Sequence, residues 1–244
     1  MKKSKTAGII IIGNEILSGK VHDENSFYLA RELRALGVDV RRISVIPDET
    51  GIIGTEVAGF SERYDYVFTS GGVGPTHDDV TMAGIAEGFG VGLVRNDEIK
   101  DILRLRYKKP LNDAILKMTE VPQGAEIIFS EGMRFPVVYF RNIFIFPGIP
   151  EYLKNKFSMI RERFRSSTFH LKRLYLNSHE SSLAAILNRV VAEHADVTFG
   201  SYPVLGKPDY RVIITAESKS GASLDRALDE LLHRLPGDVV TRIE

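Results

Sequence analysis

Residues 64–81 read YDYVFTSGGVGPTHDDVT. Tyr64 to Phe68 is short, apolar and aromatic, as a buried strand is, and after Thr81 the side chains Met82, Ile85, Ala86 and Phe89 recur at helical spacing. Between strand and helix, Gly71, Gly72, Gly74 and Pro75 make a turn at the strand's carboxyl end, a backbone shaped around a ligand. Strand, glycine turn and helix in that order suggest one unit of a parallel, doubly wound sheet.

The same unit recurs around it. Ala7 to Ile12 is a continuous apolar run rich in β-branched residues, as expected of a strand covered on both faces. Asp23 to Leu36 follows as a helix with Leu29, Leu33 and Leu36 on one face and Gly37 as its stop. Val38 to Ile46 is the next strand, ending in Pro47-Asp-Glu49; Ile52 to Phe60 is a helix and Asp65 to Thr69 the third strand. Beyond Asn96 the pattern loosens into a helix over Asp97 to Lys108 and a turn from Lys109 to Asp113 into another short helix. Pro136 to Phe140 and Ile143 to Phe146 then flank Arg141-Asn142 as a hairpin, and Pro147-Gly-Ile-Pro150 launches a helix to about Phe164.

The tail changes character. Leu171 to Leu176, Val197 to Ser201, Tyr210 to Ala216 and Val239 to Ile243 read as strands, with helices over Ser181 to Ala195 and Ser223 to Leu235. That order, βαββαβ, is the split ferredoxin-like arrangement of a small α+β domain. The polar stretch Ser166-Ser-Thr168 marks the boundary, giving an α/β domain over residues 1–168 and the small domain over 169–244.

Composition narrows the function classes. Equal numbers of basic and acidic residues, 32 each, leave no net charge to hold a polyanion, so no nucleic-acid partner is expected. The absence of cysteine excludes disulfides, thiolate metal sites and cysteine nucleophiles, and accords with a reducing compartment. The basic start is followed by an apolar run of only Ala7 to Ile12, too short for a signal-peptide core or a membrane span. A cytoplasmic protein with no membrane partner is expected.

Ligands of open α/β sheets bind beyond the carboxyl ends of the strands. Three loops leave such ends, Gly13-Asn-Glu15, Pro47-Asp-Glu49 and the turn from Ser70 to Asp79, and each carries carboxylates. The glycine turn offers backbone N–H groups to an anion, but it has no lysine for a Walker motif, and His77 stands where a dinucleotide fingerprint needs glycine. Two readings of Asp78 and Asp79 are open. One caps the following helix, an interaction of roughly 1 kcal/mol for which one carboxylate suffices. In the other, they join Asp48 and Glu15 from neighbouring strand ends in a hard-cation site that bridges to phosphates. His179-Glu-Ser-Ser-Leu183 begins like a zinc-protease helix but lacks the second ligand.

The segments GGVGPTHDDVT, GNEILSGK, PDE and FPGIP together resemble the molybdopterin-binding domain family of MoaB, Mog and gephyrin type. HDENSFYLARELRALGV, RFPVVYFRNIFIFPGIP and GSYP extend the resemblance to the branch of CinA-type proteins and the N-terminal domain of eukaryotic FAD synthase. The resemblance implies a three-layer α/β/α domain with a mostly parallel sheet, a small-molecule nucleotide or pterin ligand, and a homo-oligomer, with a dimer favoured. It implies ligand contacts from Gly13, Asn14, Glu15 and Asn25, from Ser70, Gly71, Gly72, Val73, Gly74, Pro75 and Thr76, and from Pro147 and Gly148. Asp48 and Asp79 match the family's functional carboxylates, whereas Asp78 and Val73 stand where the adenylyltransferase pattern has arginine and threonine. Loss of that arginine disfavours a free pterin phosphate and suits a metal-bridged pyrophosphate. The implied activity is metal-dependent hydrolysis of a nucleotide pyrophosphate such as FAD or ADP-ribose. Asp48 and Asp79 would be catalytic and would hold Mg²⁺ or Co²⁺ with Asp78 or Glu15, and K⁺ is a further candidate ion. Haem is not expected, and flavin enters only as substrate. The alternative is a carrier that binds molybdopterin or a nucleotide without chemistry.

Overall fold

The computed structural model describes residues 5–107, 110–129, 135–167 and 169–244. They fall into two compact units, Met1–Ser166 and Ser167–Glu244. The expected helix end at Lys108, the turn residue Lys109 and the boundary residue Thr168 lie outside the described residues.

In the first unit the elements run β1 (Thr6–Ile12), α1 (Asn14–Leu17), α2 (Asn25–Ala35), β2 (Asp39–Ile46), α3 (Thr50–Arg63), β3 (Tyr66–Ser70) and α4 (Thr81–Gly88). They continue through β4 (Leu93–Arg95), α5 (Asp97–Arg106), α6 (Asp113–Lys117), β5 (Glu120–Pro122), β6 (Glu126–Ile128), β7 (Val137–Phe140), β8 (Ile143–Phe146) and α7 (Pro150–Ile160), with a 3₁₀ turn over Arg161–Phe164. The main sheet has the order β2-β1-β3-β8-β7-β6; its first four strands are parallel, and β7 and β6 are antiparallel at one edge. Strands β4 and β5 form a separate antiparallel pair.

Strand β1 shows why its sequence is apolar without alternation. Ile9 and Ile11 enter one core with Leu29 and Leu33 of α2, Phe68 of β3 and Phe157 of α7. Ile10 and Ile12 enter another with Ile53 and Val57 of α3, Ile85 of α4 and Leu103 of α5. Both faces of the sheet are therefore covered, which makes the domain three-layered. Helices α3 and α4 approach almost backbone to backbone: a Cβ on Gly54 would stand 2.8 Å from Gly84 O, and one on Gly88 would stand 2.3 Å from Gly54 O.

The topology also fixes where a ligand goes. The chain leaves β1 to reach β2 on one side, and leaves β3 to continue towards β8 on the other. The loops after β1 and β3 therefore diverge and open a crevice at the carboxyl ends of adjacent strands.

The second unit consists of β9 (His170–Leu176), α8 (Glu180–Glu193), β10 (Thr198–Pro203), β11 (Val212–Ser218), α9 (Gly221–Arg234) and β12 (Val240–Ile243). Its sheet has the order β10-β11-β9-β12 with every neighbouring pair antiparallel, which is the ferredoxin-like arrangement. The core joins Leu174, Leu176, Val212 and Ile214 of the sheet to Leu183 and Val190 of α8 and Leu228 and Leu231 of α9. Among the described residues no helix is long and apolar enough to cross a membrane.

Candidate functional site

The glycine turn is a loop stapled at its base. Gly71 has φ +112°, and a Cβ there would stand 2.0 Å from Ile12 O, so only glycine lets the chain pass over the end of β1. Thr81, fully buried, closes the loop: its N–H donates to Gly72 O at 3.0 Å and its hydroxyl to Gly71 O at 2.8 Å. Gly71 N–H is spent on Phe146 O, but the N–H groups of Gly72, Val73 and Gly74 make no hydrogen bond among the described residues. They are donors left open to a ligand.

The two adjacent aspartates do not cap α4. That helix starts at Thr81 with Val80 at its N-cap and no side-chain cap bond. Instead Asp79 Oδ2 accepts from Thr76 N–H at 2.8 Å and from the Thr76 hydroxyl at 2.5 Å, while Asp78 Oδ1 lies 2.6 Å from the same hydroxyl. The capping reading needs the helix to follow the aspartates directly; Val80 intervenes and takes the N-cap position itself. The Thr76 hydroxyl, with help from Asp78's own N–H and from His77 and Lys117, holds the exposed Asp78 carboxyl below its ordinary range. Lys117 of α6 donates to Thr76 O and ties the tip of the turn to the β4–β5 side of the unit.

Asp48 reaches the site from the end of β2. Its Oδ2 accepts from Asn14 N–H at 2.8 Å, and Gly13 N–H donates to Ile46 O at 3.1 Å, so the loops after β1 and β2 are locked together. Its Oδ1 points at the turn, 3.5 Å from where a Cβ of Gly72 would stand. Asp79 stands over Gly74 in the same way, with Oδ1 3.0 Å from the corresponding position. Thus Asp48 and Asp79 flank the turn. The larger cluster expected from the sequence is not assembled, because among the described residues no three His, Asp or Glu side chains are grouped to hold a metal ion.

Asn25 and Ser70 are hydrogen-bonded to each other. Both are buried, and Asn25 Nδ2 donates to Ser70 Oγ at 3.0 Å and to Gly148 O at 2.7 Å, while Ser70 Oγ donates to Pro147 O at 3.1 Å. They brace α2, β3 and the Pro147-Gly-Ile-Pro150 loop, and neither is among the residues that line the crevice. Gly13 is buried, whereas Asn14, Thr76 and Asp78 are exposed, and none of the four is among the residues that line the crevice.

The crevice itself has a volume of about 810 Å³, within the range of small-molecule sites. Its walls include Glu15 after β1, Gly71 to Pro75 and Asp79 of the turn, Pro147 and Gly148 after β8, and Tyr152, Asn155 and Lys156 of α7. Thr81 and Lys156 are the parts missed by sequence reasoning. A signal for Lys156 was present, since it lies three residues after Leu153 on the stripe that continues with Phe157 and Ile160.

Comparison with known proteins matches both units. The family described as a "Probable molybdopterin binding domain" matches residues 8–165, and the family described as "FAD synthase, middle domain" matches residues 168–244. A protein of Archaeoglobus fulgidus is 38% identical over 205 residues, covering 84% of this chain and 87% of that one. A "Probable FAD synthase" of Caenorhabditis elegans is 32% identical over 270 residues; the alignment takes in 98% of this chain but only 52% of that protein, so the chain spans about half its length. The crystal structure of a CinA protein from Thermoplasma acidophilum superposes with a TM-score of 0.61 at 28% identity, over 66% of this chain and 100% of that one.

Proposed function

The chain belongs to the molybdopterin-binding domain family, in its CinA-like and FAD-synthase-like branch, and from that membership we propose that it hydrolyses a nucleotide pyrophosphate such as FAD or ADP-ribose. The observation that carries this reading is the row of unpaired N–H groups at Gly72, Val73 and Gly74, in a turn that lines the crevice and has a carboxylate at either end, Asp48 by Gly72 and Asp79 by Gly74, each with one oxygen clear of protein bonds. N–H groups of this kind fit phosphate oxygens. Relatedness to probable FAD synthases over both units supports a nucleotide as the rest of the ligand.

Asp48 and Asp79 are the residues that would hold a divalent ion, Mg²⁺ or Co²⁺. Hard carboxylate oxygens suit such an ion, and two of them are enough when substrate phosphates and water complete its shell, as is usual for magnesium. When bound there, the ion supplies charge neutralisation for the phosphates and a lowered pKa for water. The protein's own part is positional: the turn orients the pyrophosphate and the walls from β8 and α7 hold the nucleotide. In the reaction a water oxygen bonds to one phosphorus and the bridging P–O bond breaks, so ADP-ribose gives AMP and ribose 5-phosphate, and FAD gives AMP and FMN.

Incubation of the purified protein with FAD and with ADP-ribose, with and without Mg²⁺ or Co²⁺, tests this by the appearance of AMP. No AMP with any metal would overturn hydrolysis. A second reading rests on the same unpaired N–H groups, which would hold a phosphate equally well in a carrier that binds without chemistry. Calorimetry showing tight binding of either nucleotide without turnover would select the carrier.

A further inference from the structure

Helix α7 sends Leu153, Phe157 and Ile160 into the core, and Lys156 shares their face. The lysine is partly buried and stands in the wall of the crevice that also contains Gly72, Gly74 and Asp79. Its Nζ donates to Pro136 O at 2.8 Å and lies 4.8 Å from the centre of the Phe135 ring. Among the described residues no carboxylate pairs with it. Burial pushes its ammonium down to about 8, the response of a cation withdrawn from water without a counter-charge.

A carbonyl and a ring face do not satisfy an ammonium with three donors. Among the described residues of the crevice no other cation is shielded. Lys117 is engaged with Thr76 O, and Arg106 stands exposed at the end of α5. Asp78 occupies the turn position where the adenylyltransferase pattern has arginine. A positive charge supplied from α7 offsets that loss, and its attraction for an anion is strengthened by exclusion of water.

We infer that Lys156 is the cation that receives a phosphate of the crevice's ligand, working together with the open N–H groups of the glycine turn. The ligand class, a nucleotide bearing a pyrophosphate, rests on the proposed function; the phosphate contact itself does not require turnover.

The test is calorimetric titration of the full chain and of Lys156→Met with inorganic pyrophosphate, ADP-ribose and adenosine. Lys156→Met should bind pyrophosphate and ADP-ribose at least about tenfold more weakly, the scale of one hydrogen bond to a charged group. Adenosine, which has no phosphate, should bind both proteins equally, and Lys156→Arg should restore most of the affinity. Lys156→Gln reads the same loss if the methionine variant does not fold. Wild-type protein that binds no pyrophosphate, or neutral variants that bind it as wild type does, would overturn the inference. Absence of AMP in the hydrolysis assay would count against the proposed reaction alone.

Discussion

Asp79 is where binding and chemistry separate most cleanly. Asparagine keeps an oxygen that accepts from Thr76 N–H, so Asp79→Asn should hold its unfolding free energy within about 0.5 kcal/mol while AMP formation is lost. Full metal-dependent turnover in that variant would show that the carboxylate only ties the turn. Lys156 should behave in the opposite sense to a structural residue. Because burial lowers its pKa from 10.5 to about 8, the charged form burdens the folded state below pH 8, and stability from this group rises as pH climbs from about 8 to 10.5. Lys156→Met should therefore unfold at the same temperature as wild type or higher at pH 7, with its advantage shrinking towards pH 10.5. A large loss of melting temperature at pH 7 would contradict this. That Asp48, Asp79 and the glycines meet at one turn was legible in the sequence because all of them stand at strand ends of one sheet. The sequence did not show that Asn25 and Ser70 brace the Pro147 loop, since a short polar side chain looks the same whether it faces a crevice or a neighbouring loop.

At the scale of elements, the glycine turn predicts two different failures from the same substitution. Gly71→Ala places a methyl group against Ile12 O at positive φ, and backbone cannot yield as a side chain can, so a loss of roughly 2 kcal/mol or more in chemical denaturation is expected. At Gly74 the obstacle is the end of the Asp79 side chain, 2.6 Å away. Gly74→Ala should therefore fold nearly as well as wild type yet lose turnover, because Asp79 is pushed off Thr76; an unfolded Gly74→Ala would refute that. Strands β1 and β3 are clamped at their other ends by Asp65, which accepts from Lys5 Nζ at 2.7 Å, Thr6 N–H at 2.8 Å and the Thr6 hydroxyl at 2.9 Å. Burial raises this carboxyl, but the lysine and threonine donors outweigh it and hold it at about 2. The stabilisation is thus full above the ordinary value of 3.8 and is lost as pH falls through 2. The difference in unfolding free energy between wild type and Asp65→Asn, about 1 kcal/mol at neutral pH, should vanish over that window. Elements with a long apolar period were legible in the sequence, as β1, α2 and the β7–β8 hairpin show. Strands β4, β5 and β6, three residues each, were not, because so short a strand has no period to read. The four-residue helix α1 looked like loop for the same reason.

For the whole molecule, the distribution of cores and site residues makes the two units separable. Every described residue that lines the crevice lies between Glu15 and Met159, inside the first unit, Met1–Ser166. Each unit also has its own core, built in the first around β1 and in the second around Leu174, Val212 and Leu231. A unit with its own core has the means to fold alone. Fragments ending at Ser166 and starting at Ser167 should each unfold cooperatively, and the first should bind ADP-ribose within about threefold of the full chain, a difference below 1 kcal/mol. The second fragment carries none of the turn and should not bind it. Loss of ADP-ribose binding by a folded first fragment would mean that the ferredoxin-like unit contributes to the ligand site. The same pair of fragments also separates recognition from chemistry. If the first fragment binds ADP-ribose as tightly as the full chain but only the full chain releases AMP, the crevice suffices for recognition and the second unit is required for chemistry.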